Sequence, residues 1–268
     1  YYLDVRKLKR RLTFVHVEDK LAELEVKLYN NLFIPDKKTN LSQEEILTTL
    51  AGIRKTLIQE HNGLFLHLLD NFICKVEIFG LHFASLDVRQ ESSIHGKLFD
   101  AVAEKNTVLP AGYSEYTDDE KIKALETLQP YGITVETGDA VLDDTLKSVE
   151  AIQQIQQYNG VAGCHRYIIS QCNSALNVME VFALFRLTGL QNPAIDIIPL
   201  FETVDDLTNA AGIMKQLYEN NTYSTHIQQR MNKQYIMLGF SDGTKDGGYL
   251  MANWGIYKAK KELTAISK

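Results

Sequence analysis

Residues 195–202 read IDIIPLFE, a short apolar run that ends in a carboxylate. Two similar runs lie on either side of it, RYIIS at 166–170 and YIMLGFSD at 235–242. Helical patterns separate the three runs, because apolar residues recur at steps of three and four over 175–187 and from 205 to 218. Strands that alternate with helices predict parallel β/α units whose strands are buried on both faces.

A fourth apolar run ends in charge at residues 79–89, and a long helical stretch separates it from the other three. We therefore expect a predominantly helical α/β fold: a partial (β/α) TIM-type barrel of about four parallel strands, with extra helices. The pattern predicts an N-terminal helical segment over 1–78. It places the partial barrel at 79–268, with a helical insertion at 96–160.

Composition excludes several classes of protein. The chain has 268 residues, of which 28 are basic and 34 acidic, and its hydrophobic fraction of 45% is that of an ordinary globular protein. The acidic balance argues against a nucleic-acid partner. No apolar run approaches the ~20 residues that cross a bilayer, so we expect no membrane association. Three cysteines at no metal-binding spacing fit a reducing, cytoplasmic location.

Polar side chains follow the predicted strands. Glu202 and Asp242 end two neighbouring ones, Arg89 ends another, and Lys245 lies three residues beyond Asp242. In parallel β/α folds this edge carries the active site. Two carboxylates suit Mg²⁺, which completes its coordination with water and substrate oxygens, whereas Arg89 can bind a carboxylate or phosphate. The residues themselves predict a metal-assisted enzyme that acts on an anionic substrate.

Simpler roles remain open for the same residues. Glu202 or Asp242 can be the cap or first-turn residue of the following helix, where the helix dipole favours negative charge. The pair Asp205 and Asp206 has the pattern of a helix start. Arg89 can form an ion pair with a carboxylate of its own segment, at position 87 or 91.

Four collinear segments resemble the phosphoenolpyruvate carboxylase family. Residues 79–95 contain FGL and then LDVRQES with a His three positions on, similar to the family's FGL…LDIRQES..H. Residues 199–207 read PLFETVDDL, where the family has PLFETLDDL, and residues 237–248 resemble MxGYSDSxKDxG. A weaker match is YIIS at 167–170, which resembles the family's YVIS strand.

The resemblance implies a lyase that carboxylates phosphoenolpyruvate with bicarbonate to give oxaloacetate and phosphate. It implies Mg²⁺ or Mn²⁺ bound by Glu202 and Asp242, substrate contacts from Arg89 and Ser241, and catalytic roles for Arg89 and Lys245. It also implies a cytoplasmic protein that forms a homo-oligomer at full length. Phosphoenolpyruvate and bicarbonate are then its partners, with no nucleic acid and no membrane.

Other family motifs are missing. The sequence contains no His-Pro dipeptide, no GRGG-type glycine loop and no QGE-type motif, and it begins at Tyr1 rather than at a methionine. We therefore expect a central fragment that is inactive by itself. Phe240 and Gly243 replace the Tyr and second Ser of the YSDS motif. The alternatives are another metal-dependent barrel enzyme acting on a phospho-enol or enolate, and a non-catalytic scaffold or binding module.

Overall fold

The computed structural model of the chain describes residues 1–37, 39, 41–105, 108–132 and 136–267. The chain divides into two compact units, Tyr1–Ala84 and Ser85–Lys268. Within the described ranges, no helix is both long enough and apolar enough to cross a membrane.

The first unit is helical. Its helices are α1 (Tyr2–Lys9), α2 (Glu18–Phe33), α3 (Gln43–Glu60) and α4 (Leu66–Phe79). Helix α3 begins after a side-chain cap, where the Ser42 hydroxyl accepts a hydrogen bond from the Glu45 amide at 3.1 Å. The apolar stripe of α2 forms part of the core, with one exception. Leu32, in step with that stripe, is 61% exposed, because it lies in the last turn of the helix.

The second unit combines a parallel sheet with seven helices in its described part. Its strands are β1 (Asp87–Glu91), β2 (Arg166–Ser170), β3 (Asp196–Phe201) and β4 (Met237–Leu238). Its helices are α5 (Ser92–Lys105), α6 (Asp118–Glu126), α7 (Ala140–Asn159), α8 (Ala175–Leu187), α9 (Val204–Glu219), α10 (Asn221–Gln229) and α11 (Phe240–Ile266). The predominantly helical α/β fold class is thus confirmed.

The four strands lie side by side in chain order, and each pair is parallel. Sequential parallel strands joined by helices are the arrangement of a partial α/β barrel. The long segment between β1 and β2 contains α5, α6 and α7, with residues 106–107 and 133–135 outside the described part. Two consecutive helices, α9 and α10, join β3 to β4.

Helix α8 lies at the centre of this unit. Almost every one of its side chains is buried, and it contacts α5, α6, α7 and α9 as well as β3. Its apolar sequence therefore reflects burial on all sides rather than one amphipathic face. Two charged residues, Glu180 and Arg186, are buried with it.

Two strands are shorter than their apolar runs. Phe79 completes α4, so β1 begins only at Asp87, and Arg89 lies in the middle of the strand instead of at its end. Strand β4 has two residues, and α11 begins at Phe240, so Asp242 belongs to the first turn of a helix.

Candidate metal and substrate site

Glu202 is the buried acid at the carboxyl edge of the sheet. It directly follows β3, and only 7% of its surface is exposed. Arg89 Nη2 donates to Glu202 Oε1 at 2.7 Å, and the amide of Gln171 donates to Oε2 at 3.3 Å. Both carboxylate oxygens are therefore held, one by a residue of β1 and the other by the residue that follows β2.

The backbone of Glu202 is also fixed. Asp206 Oδ2 accepts from the amides of Glu202 and Thr203, at 3.2 and 3.0 Å. The Thr203 hydroxyl accepts in return from the Asp206 amide at 3.1 Å, which completes a capping box at the start of α9. Asp206 is itself buried. The predicted helix-start role of Asp206 is therefore observed, and it also fixes the residue that carries the site.

Arg89 reaches across the sheet from β1 to Glu202. Its side chain is 53% exposed, so the guanidinium has one face on the carboxylate and another in solvent. This contact differs from the local pairing considered for Arg89, since Asp87 lies 3.7 Å from Arg166 instead. A guanidinium so placed can bind an incoming phosphate or carboxylate without leaving the edge.

Asp242 and Lys245 form a second charged pair in the first turns of α11. Lys245 Nζ lies 2.8 Å from Asp242 Oδ1, and both side chains are exposed. The hydrogen bond from Lys245 holds the pKa of the Asp242 carboxyl below its usual value, and the charge of Arg89 acts in the same direction. The same bond raises the pKa of Lys245. Arg89 therefore acts electrostatically on Asp242 as well as binding Glu202.

Two glycines allow α11 to approach Glu202. A Cβ on Gly239 would lie 3.0 Å from the Glu202 Cα, and one on Gly243 would lie 3.4 Å from its carbonyl oxygen. The Gly239 amide also donates to Phe201 O at 2.8 Å. The start of α11, which carries Asp242, is thus packed directly on the end of β3. Gly243, where the resembled motif has Ser, is one of these two contact points.

The donor set fits a hard divalent ion better than zinc. Within the described ranges, no three His, Cys, Asp or Glu side chains cluster closely enough to hold a metal. Zinc sites take three or four such ligands, whereas Mg²⁺ is often bound by one or two carboxylates and otherwise by water and substrate oxygens. Glu202 and Asp242 could supply those two carboxylates. Each is now paired with a cation that is more than half exposed and could move aside.

Ser241 lies beside Asp242 in the first turn of α11 and is exposed. Amides in the first turn of a helix have no intrahelical acceptor and favour negative charge nearby. The exposed hydroxyl of Ser241 therefore lies at the end of α11 that favours negative charge.

Two further residues at this edge were given no role in the site by the sequence analysis. Gln171 has a positive φ of 51°, which turns its amide toward Glu202 just after β2. Asp246 Oδ2 accepts from the Val204 amide at 3.0 Å, linking α11 to α9. The apolar pattern of the sequence gives no signal for a non-glycine residue with positive φ, such as Gln171. The acid at position 246, next to Lys245, could have been considered.

Comparisons with known proteins identify the family of the chain. The family model for phosphoenolpyruvate carboxylase matches residues 1–268. A phosphoenolpyruvate carboxylase of Gloeobacter violaceus is 32% identical over 266 residues, which cover 94% of this chain and 28% of the relative. One from Synechococcus is 34% identical over 78% of this chain and 21% of the relative, and one from Nitrosomonas europaea is 36% identical over 71% and 21%. The chain therefore spans between a fifth and three tenths of the length of these relatives.

Proposed function

The chain belongs to the phosphoenolpyruvate carboxylase family, and on that premise we propose that it supplies the metal-binding part of such an enzyme's active site. The reaction would be carboxylation of phosphoenolpyruvate by bicarbonate to oxaloacetate and phosphate. The observation that carries the proposal is the pairing of Glu202 with Arg89 at the edge where α11 brings Asp242 and Lys245.

Glu202 and Asp242 would hold Mg²⁺ or Mn²⁺. When bound, the ion would supply Lewis-acid stabilisation of negative charge on the substrate oxygens. Glu202 suits this role because Asp206 and Gln171 fix its backbone and one carboxylate oxygen before any ligand arrives. A ligand fixed in advance loses little conformational freedom on binding.

Arg89 and Lys245 would bind the phosphate of phosphoenolpyruvate. Each cation is paired with one of the two carboxylates. A metal ion that binds the carboxylates would therefore release Arg89 and Lys245 to bind the substrate. Their positive charge would then offset the negative charge that shifts between phosphate and bicarbonate during the reaction. Ser241 would add a hydroxyl donor beside them.

The residues of this chain do not complete the site. The family's (T/A)HPT-type histidine and GRGG-type arginine have no counterpart in the sequence. We propose that the chain alone does not catalyse turnover and that residues 1–78 are structural, with 79–268 carrying the site. We further propose that the whole protein is a cytoplasmic homo-oligomer.

Binding of Mn²⁺ tests the proposal without requiring turnover. Electron paramagnetic resonance should detect one bound Mn²⁺ per chain, and Glu202→Ala or Asp242→Ala should abolish it. Asp205→Ala is the matched control, because Asp205 is an exposed carboxylate three residues from Glu202 and should not affect binding. Equal Mn²⁺ affinity in all four proteins would refute the assignment.

A further inference from the structure

A cavity lies at the end of the sheet opposite Glu202. It has a volume of about 300 Å³ and is lined by residues of α8, of the loop that leads into β3, and of α10. His226 forms a hydrogen bond with the Ile195 carbonyl, immediately before β3 begins at Asp196. Glu202 follows the other end of that strand, so the six residues of β3 separate the two sites by about 20 Å.

The floor of the cavity holds a buried cation. Arg186 is only 8% exposed, and its guanidinium carbon lies 4.7 Å from the centre of the Phe182 ring. Its Nη1 donates to the carbonyls of Glu126 and Leu128, at 3.0 and 3.4 Å. These two acceptors are neutral, so they satisfy N–H groups without neutralising the charge.

The rest of the guanidinium is incompletely paired. Arg186 Nε is buried without a hydrogen-bond partner in the described part of the chain, where no ion pair involves Arg186 either. The charge of Glu126 acts on Arg186, but without a direct ion pair in the described part of the chain, and Glu126 Oε1 accepts instead from Asn220 Nδ2 at 2.6 Å. A buried charge without a directly paired counter-ion is costly, and such a group calls for an explanation.

The rim of the cavity offers neutral donors and no competing acid. Its side chains are amides and hydroxyls, among them Asn192, Asn221 and Thr225, and none of the lining residues is Asp or Glu. Asn221 and Thr222 also open α10, whose first amides favour negative charge. Burial removes water from the imidazole of His226 and lowers its pKa to about 4, so His226 is neutral near pH 7. Among the described residues that line the cavity, the only formal charge is therefore the positive one of Arg186.

We propose that this cavity binds a small oxyanion, a phosphate or a carboxylate, with Arg186 as its counter-cation and the rim amides and hydroxyls as further donors. Oxyanions of this kind match the planar guanidinium and accept several hydrogen bonds at once. The site is separate from the Glu202 edge and does not depend on the function proposed for that edge.

Titration of the ¹⁵N-labelled chain with sodium phosphate or sodium acetate, at constant ionic strength, tests the proposal. One or both anions should cause saturable shifts in the amide signals of Asn192, Thr222 and Thr225. If the shifts saturate with phosphate only, the cavity accepts phosphate. If they also saturate with acetate, it accepts carboxylates as well. Shifts confined to the Arg89 and Lys245 signals, or no saturable shift, would overturn the proposal.

Two charge variants separate a specific site from general anion attraction. Asn221→Asp places a negative charge on the rim but favours the start of α10, so folding should be retained while affinity falls at least about tenfold. Asn62→Asp makes the same charge change in the Tyr1–Ala84 unit and should leave the affinity unchanged. Arg186→Met, which keeps an apolar side chain against Phe182, should abolish saturation. Equal affinity in the wild type and Asn221→Asp would refute the site.

Discussion

Replacement of Glu180 by glutamine should remove a large part of the pH dependence of stability in the Ser85–Lys268 unit. Glu180 lies in α8 and is 2% exposed. Desolvation by burial raises the pKa of its carboxyl to about 8, while Lys121 partly opposes that shift. The charges of Asp100 and Asp118 act in the same direction as burial. The carboxyl is therefore protonated at neutral pH in the folded protein and ionised in the unfolded chain.

The sign of the effect follows from proton binding. Because the pKa is raised above its usual 4.5, the folded state holds the proton more tightly, and the resulting stabilisation is complete below pH 4.5. It is lost as the pH rises toward about 8. At about 1.4 kcal/mol for each tenfold difference in proton affinity, the whole loss is about 5 kcal/mol. Glutamine has nearly the same shape and no proton to lose, so the variant should lack this loss.

Chemical denaturation between pH 5 and pH 8.5, followed by tryptophan fluorescence, measures the effect. The only tryptophan, Trp254, lies in the same unit as Glu180. Because its side chain is already 58% exposed, its emission is recorded together with far-ultraviolet circular dichroism. The free energy of unfolding of the wild type should fall across this range relative to that of Glu180→Gln, by several kcal/mol. Glu115→Gln, an exposed change in the same unit, should follow the wild type. Parallel pH profiles for wild type and Glu180→Gln would refute the reasoning.

Three further changes have defined outcomes. Tyr167→Phe removes the hydroxyl that lies 2.9 Å from the buried Nε2 of His95, so it should destabilise the protein by about 1–3 kcal/mol in thermal or chemical unfolding. An unfolding midpoint equal to that of the wild type would contradict this prediction. Lys245→Ala should raise the pKa of Asp242 toward its usual value in a carbon-detected carboxyl titration, and an unshifted titration would argue against the pair. Asp206→Ala removes the side chain that completes the capping box of α9 and should cost about 1–2 kcal/mol of stability while weakening Mn²⁺ binding. Loss of stability with intact Mn²⁺ affinity would limit this residue to its role in the capping box.

The succession of strands and helices could be predicted because it depends on apolar spacing. Helix α8 occupies Ala175–Leu187, the range its pattern predicts, and α9 covers the helical pattern found after β3. Strand starts were harder to locate. The run from residue 79 includes the last residue of α4, and the chain then turns through Gly80 and Phe83, both with positive φ. A short apolar run does not by itself distinguish the end of a helix from a strand.

The presence of charged side chains at this edge of the sheet was predicted, but their pairing was not. Glu202 follows β3 as expected, whereas Asp242 reaches the same edge from the first turn of α11. The pairing of Arg89 with Glu202 joins residues 113 positions apart, and no local pattern encodes such a contact. The burial of Glu180 could not be predicted for a similar reason, because it depends on the four helices that surround α8.

The central claim is that Glu202 and Asp242 bind one and the same metal ion, and a double-mutant cycle on Mn²⁺ affinity tests it most directly. The variants are Glu202→Gln, Asp242→Asn and the two combined, each of which keeps the shape of the side chain it replaces. For a shared ion, each single change should weaken binding severely and the double change should add little more, because residues that act on one ligand are not additive. Fully additive losses, or Mn²⁺ affinity that neither single change alters, would contradict the claim.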